Sequence, residues 1–259
     1  LPAMSTTLDV YQINVTNRIV GTGTINGTVN GVPTAAAPVV DAAIAANGNQ
    51  LDPVVVATGS TGVEVFANGI DTQTRGADLV FEFPVDYDLG HVNYSLAATY
   101  TDTALTRNPP IPPQFAGQLF YDPRAISDLT TAFPKFVINL GANWTYQKLS
   151  VSVAEKLYGP SSEYDSDQGN NPTGVPVFFK SSIGTVPITN LNVGYQFTKL
   201  IRFDIGALNL FDRFPPRLND AMISRDFAHS SSYAVQVNPI WSPFGINGGY
   251  YYAKATLTF

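Results

Sequence analysis

Glu163, Asp165 and Asp167 stand at alternate positions with Asn170 and Asn171 close behind, and together they offer the hard oxygen ligands that calcium prefers. The spacing Asp165-Ser166-Asp167-Gln168-Gly169 departs from an EF-hand loop, so this is a weak calcium candidate and reads more simply as a solvated acidic loop. His229-Ser230-Ser231-Ser232 sets a base beside nucleophiles, the pairing that serine hydrolases use. Adjacent residues rarely reach the geometry such a pair needs, so a polar loop is the better reading and no catalytic residue is assigned. There are no cysteines and only two histidines, His91 and His229, which the strand order below puts on opposite sides of a membrane. No metal centre and no cofactor are expected. Tyr121, Tyr164, Phe178, Phe179, Phe227 and Trp241 fall in long connectors, where they can touch a ligand or, as readily, pack the loops together.

The elements that must carry these residues show themselves as a period of two. From the end of the chain backwards, Phe259, Leu257, Ala255, Ala253 and Tyr251 share one face, and Thr258, Thr256, Lys254, Tyr252 and Tyr250 the other. Eight such segments occur. Tyr11, Ile13 and Val15 alternate with Gln12, Asn14 and Thr16. Leu79, Phe81 and Phe83 end a long segment that begins near Val63. Val92 to Tyr100, Phe136 to Tyr146, Leu149 to Val153, Leu191 to Phe197 and Ile201 to Ala207 follow before the terminal one. Tyr, Trp or Phe stands near the ends of the apolar faces, as in the aromatic girdles of a membrane barrel.

Composition narrows the class. Of 259 residues 44% are hydrophobic and only 13% charged, yet no run approaches the roughly 18 apolar residues of a membrane helix. A net charge of −6, with Lys and Arg scattered singly, leaves no basic stripe for nucleic acid. Nothing after Leu1 reads as a charged region followed by an apolar one, so no signal peptide is expected within this sequence.

Connectors alternate in length. Val85 to Gly90, Gln147-Lys148 and Thr198 to Leu200 are short, whereas about 21–62, 103–134, 159–185 and 212–247 are long and rich in Pro, Gly, Asn and Ser. Short periplasmic turns with long extracellular loops are the outer-membrane pattern. Two helices are expected inside the loops, Val39 to Ala46 and Arg124 to Thr131, the second with Asp122 as N-cap and Pro123 at its first position.

Three stretches resemble the TonB-dependent outer-membrane transporters. Ala207-Leu208-Asn209-Leu210-Phe211-Asp212 before Pro215-Pro216 resembles that family's near-terminal strand. Thr74-Arg75-Gly76-Ala77-Asp78-Leu79 resembles a mid-barrel strand of the family, and Asp9-Val10-Tyr11-Gln12-Ile13 with Asn17-Arg18-Ile19 another. Tyr251, Ala253, Ala255, Leu257 and Phe259 look like the signal that the outer-membrane insertion machinery reads. Nothing resembles the family's TonB box or plug domain, so residues 1–259 match only a C-terminal section of the barrel.

What the resemblance implies is an all-β membrane protein, an antiparallel up-and-down barrel in a Gram-negative outer membrane, that captures a siderophore, metal chelate or other bulky nutrient. Its partners are lipid, a plug and further strands, and the TonB complex through that plug. A closed eight-stranded barrel must fill its interior with side chains, but the polar faces here carry mostly Ser, Asn, Thr, Gly and Ala. They suit a wide barrel of roughly 22 strands. A scaffold barrel that binds another protein is the alternative, and a passive porin a third.

Overall fold

The computed structural model describes residues 4–29, 31–49, 61–108, 110–115, 118, 120–166, 177–229 and 237–259. In chain order its strands are β1 (Ser5–Gly21), β2 (Ile25–Val29), β3 (Val32–Pro33), β4 (Thr61–Val63), β5 (Phe66–Tyr87), β6 (Gly90–Arg107), β7 (Phe136–Tyr146), β8 (Leu149–Tyr158), β9 (Ser161–Ser166), β10 (Phe178–Ile183), β11 (Val186–Gln196), β12 (Ile201–Leu208) and β13 (Tyr250–Leu257). The helices are α1 (Ala37–Ala46), α2 (Pro123–Thr130) and α3 (Asp220–His229). Among the described residues no helix is long and apolar enough to cross a membrane, a statement that does not bear on strands.

Eight strands form one antiparallel sheet in the order β1-β5-β6-β7-β8-β11-β12-β13, the eight that alternation predicts. Each pairs with the next long strand through a short turn or a long loop, which is the up-and-down connection. Residues directly opposite in register share a face, so continuous rows can be followed across the sheet. Tyr94, Ala142, Val153, Leu191, Ala207 and Tyr251 make one apolar row. One step along, Asn93, Asn143, Ser152, Asn192, Gly206 and Tyr252 make a polar row on the other face.

The apolar face is bare. Leu140, Phe203 and Ile205 expose 49%, 50% and 62% of their surface, and Leu8 exposes 64%. A soluble sandwich would cover such a face with a second layer; here the sheet turns it outward, which is workable only against hydrocarbon. Trp144 stacks on Tyr146 and donates its indole N–H to the Leu89 carbonyl at 2.8 Å, forming part of an aromatic girdle at the short-turn end.

β1 departs from expectation. Tyr11, Ile13 and Val15 lie opposite Gly76, Thr74 and Thr72 on the polar side, whereas Leu8 and Val10, opposite Leu79 and Ala77, continue the lipid row. Alternation alone marks two faces without saying which is which. The neighbouring strand decides, because Gly76 leaves a hollow that takes the Tyr11 ring.

Among the described residues β1 pairs only with β5 and β13 only with β12, so the sheet has two open edges. Unpaired backbone groups cannot stay bare in lipid.

The long connectors hold their own structure. α1 and α2 fall where expected, and the Asp122 carboxylate caps α2 by accepting from the Ala125 amide at 2.8 Å. The sheet β3-β2-β4, the β9–β10 hairpin and α3 were not expected. α3 is stabilised by a remote contact, Leu218, Met222 and Ile223 packing on Phe179. The side chain of Asn219 accepts from the Ala221 amide at 2.9 Å at its start.

Candidate functional site: the polar wall and its loops

On the polar face, long side chains lie across glycines to reach the strand beyond. Tyr11 crosses Gly76 and its hydroxyl meets Thr101 Oγ1 at 2.9 Å. Tyr252 crosses Gly206 and donates to Asn192 Oδ1 at 3.0 Å. Arg202 crosses Gly194 and donates to Ser150 Oγ at 2.7 Å, while the same guanidinium donates to Asp204 Oδ1 at 2.8 Å. In each case a Cβ on the glycine would occupy the space of the crossing group. The polar wall is therefore thin at the glycines and tied laterally by hydrogen bonds.

The family-like stretches acquire physical roles. In Thr74-Arg75-Gly76-Ala77-Asp78, Gly76 seats Tyr11, Thr74 Oγ1 meets Thr103 Oγ1 at 2.9 Å, and Arg75 Nε donates to Gln12 Oε1 at 2.9 Å. In Asn209-Leu210-Phe211-Asp212, both Asn209 and Asp212 hold left-handed backbone with φ of 53°. Asn209 Oδ1 accepts from the Arg213 amide at 2.9 Å and its Nδ2 donates to the Arg213 carbonyl at 2.7 Å. Asp212 Oδ1 accepts from the Gly249 amide at 2.7 Å, joining the end of β12 to the start of β13.

Asn209→Ala is expected to destabilise the protein by about 2–3 kcal/mol, since it removes two hydrogen bonds and puts alanine at positive φ. Asn209→Gly should recover the backbone part alone. Urea unfolding of the detergent-solubilised protein measures both, and equal losses for the two variants would disprove a backbone contribution.

Tyr251, Ala253, Ala255 and Leu257 lie on the apolar face of β13, with Phe259 following; the Tyr251 hydroxyl donates to the Leu210 carbonyl at 3.0 Å.

The long loops join in sequence. The first and second share a core in which Ile25, Ala36, Val40 and Ile44 meet Phe115 and Phe120. At the base of that pair, Arg107 Nε donates to Asp71 Oδ2 at 2.8 Å and its Nη2 to Asn17 Oδ1 at 2.7 Å. The second and third loops meet where α2 packs on β9, and the third and fourth where α3 packs on β10.

The six aromatic candidates do not converge. Tyr121 makes an edge contact with Phe120, Phe179 packs on α3, Phe227 is exposed on α3 and Trp241 is partly buried before β13. Tyr164 sits on β9, its amide donating to Ser127 Oγ at 3.1 Å. Phe178 lines a cavity of about 340 Å³, together with Thr22, Glu64, Asp122, Arg124 and Asp128.

Of the calcium candidates, Glu163 is buried with its side chain 6% exposed, 3.7 Å from Arg124 and hydrogen-bonded to Asp128. Burial pushes its pKa up to about 7, and the charges of Asp128 and Asp165 add to this. Burial also raises the pKa of Asp128. Among the described residues no three His, Asp or Glu side chains gather so as to hold a metal ion. Asp167, Asn170, Asn171 and Ser230 to Ser232 lie outside the described residues. Sequence reasoning missed Asp128, Arg124, Asp71 and Arg107, because only the register and the folded loops bring them together.

A continuous antiparallel sheet with one bare apolar face and one polar face, joined alternately by short turns and long structured loops, defines part of a transmembrane β-barrel wall. The family described as "TonB dependent receptor-like, beta-barrel" matches residues 2–210, and the chain belongs to it. The outer membrane transporter YddB from Escherichia coli is similar in fold, with a TM-score of 0.55 and 11% identity over 99% of this chain and 30% of that one. The pyoverdine outer membrane receptor FpvA from Pseudomonas aeruginosa PAO1 gives 0.53 and 14%, over 99% and 27%. The copper transporter OprC gives 0.52 and 14%, over 99% and 30%. This chain thus spans less than a third of each of these structures. Comparison with curated proteins found no match. The protein is an outer-membrane barrel component of a Gram-negative bacterium, in a family of receptors and not of enzymes, so the hydrolase reading of His229 and its serines has no support.

Proposed function

We propose that this chain forms part of the barrel wall and the extracellular loops of an active TonB-dependent receptor that imports a metal chelate or another bulky nutrient. The observation that carries the reading is the polar face of the eight-stranded sheet. Its row Asn93, Asn143, Ser152, Asn192, Gly206 and Tyr252 is small but for the tyrosine, which lies across Gly206, and so has too little volume to fill a narrow barrel. It suits a wide lumen of roughly 22 strands holding a plug and water. The two open edges need partner strands from the rest of the protein, and the plug and TonB contact belong to that remainder. The fold likeness to proteins named as a pyoverdine receptor and a copper transporter supports the substrate class.

In this reading the long loops, about 21–62, 103–134, 159–185 and 212–247, are extracellular and select the solute. Phe178 at the loop cavity is the aromatic best placed to touch it. Tyr251, Ala253, Ala255, Leu257 and Phe259 serve as the insertion signal. The test is uptake of labelled ferric and copper chelates by cells producing the complete protein, with and without a working TonB complex. Accumulation that needs TonB supports the proposal. Flux independent of TonB would indicate a passive porin, and binding of another protein without any solute movement would indicate a scaffold.

A further inference from the structure

Apart from the cargo, the contact between the second and third long loops carries an inference of its own. The Ser162 amide donates to the Thr131 carbonyl at 2.8 Å, and Thr131 Oγ1 donates back to the Ser162 carbonyl at 2.7 Å. The Tyr164 amide donates to Ser127 Oγ at 3.1 Å. Between these bonds, Glu163 is driven into the interface, where its partner is the Asp128 carboxyl of α2. Two carboxyl groups in contact hold together only while they share a proton; with both ionised they repel.

We propose that α2 and β9 form a proton-operated latch between two long loops, closed while Glu163 is protonated and loosened when it ionises. The charged groups around Glu163 favour this. On α2 stand Asp128 and, 3.7 Å away, Arg124, with Asp122 at the helix cap adding negative charge beside Asp128. Asp165 lies two residues along β9. β10 sets the neutral Ser181 opposite Glu163, and its Lys180 stands opposite Tyr164, the next position in register. Arg124 thus faces Glu163 from the same helix as Asp128, and its outlying guanidinium does not offset burial.

The sign follows from the raised pKa. Free of the interface, Glu163 ionises around its ordinary value of 4.5; docked, it ionises at about 7. Docking is therefore strongest below about pH 4.5, weakens as pH rises from there to about 7, and changes no further above that. The shift corresponds to an opening equilibrium that grows on the order of 100-fold across this window.

Hydrogen exchange of the complete receptor in detergent, read as protection factors at pH 5 and pH 8 so that intrinsic rates cancel, tests the latch. Peptides covering 123–130 and 161–166 should lose about two orders of magnitude of protection at pH 8, while β7 keeps its own. Glu163→Gln should hold the two segments at the acid level at both pH values. Unchanged wild-type protection, or an equal loss in β7, overturns the proposal, and so does a Glu163→Gln protein that keeps the full pH response. The wild-type profile decides even if that variant fails to fold. None of these readings depends on transport, so failure of the latch leaves the uptake proposal standing and the reverse.

Discussion

Leu96→Arg is expected to lower the stability of the inserted barrel by about 2–4 kcal/mol, whereas Ala97→Arg, one residue along the same strand, should cost far less. Leu96 is the middle member of the apolar row Val92, Tyr94, Leu96, Ala98 and Tyr100 on β6, and its cross-strand partners are Phe81 and Leu140. A guanidinium there meets hydrocarbon near the bilayer centre; Phe81 and Leu140 directly opposite are apolar, and on that face the Glu155 carboxyl stands one strand further, opposite Leu140. Ala97 lies opposite Val80 and Asn139 on the face that looks into water. Equilibrium folding of the complete protein into lipid vesicles under denaturant measures both. Equal costs at the two positions would show that the faces are assigned wrongly, and the membrane reading would fall with them.

Gly76→Ala is expected to cost about 1–3 kcal/mol, and part of that cost should vanish when Tyr11 is also replaced by alanine. The added methyl would meet the Tyr11 ring and the Tyr100 carbonyl, and only the first obstacle is a removable side chain. Tyr11→Phe, which keeps the ring and loses the bond to Thr101, should cost only about 0.5–1.5 kcal/mol. A double-mutant cycle on urea unfolding separates the terms. Strict additivity of Gly76→Ala and Tyr11→Ala would mean that the ring does not rest on the glycine.

The strands were legible because each must satisfy a local rule. Hydrocarbon on one side and water on the other impose a period of two, and Phe136 to Tyr146 or Leu191 to Phe197 show it without reference to any other segment. Asp122-Pro123 likewise announces α2, since capping involves a backbone amide only three residues away. α3 was not legible, because Phe179, on which Met222 and Ile223 pack, is remote in the chain.

Sequence by itself thus determined the number of membrane-crossing strands, their order through alternating short and long connectors, and the outward face of most of them. The tertiary structure alone decided which side of β1 meets lipid, why Gly76, Gly194 and Gly206 stand where they do, and that Glu163 faces Asp128 across two loops. The difference is one of range. Alternation answers to the solvent around each residue in turn, whereas the glycine crossings and the carboxyl pair join strands and loops tens of residues apart, whose meeting depends on register and loop packing.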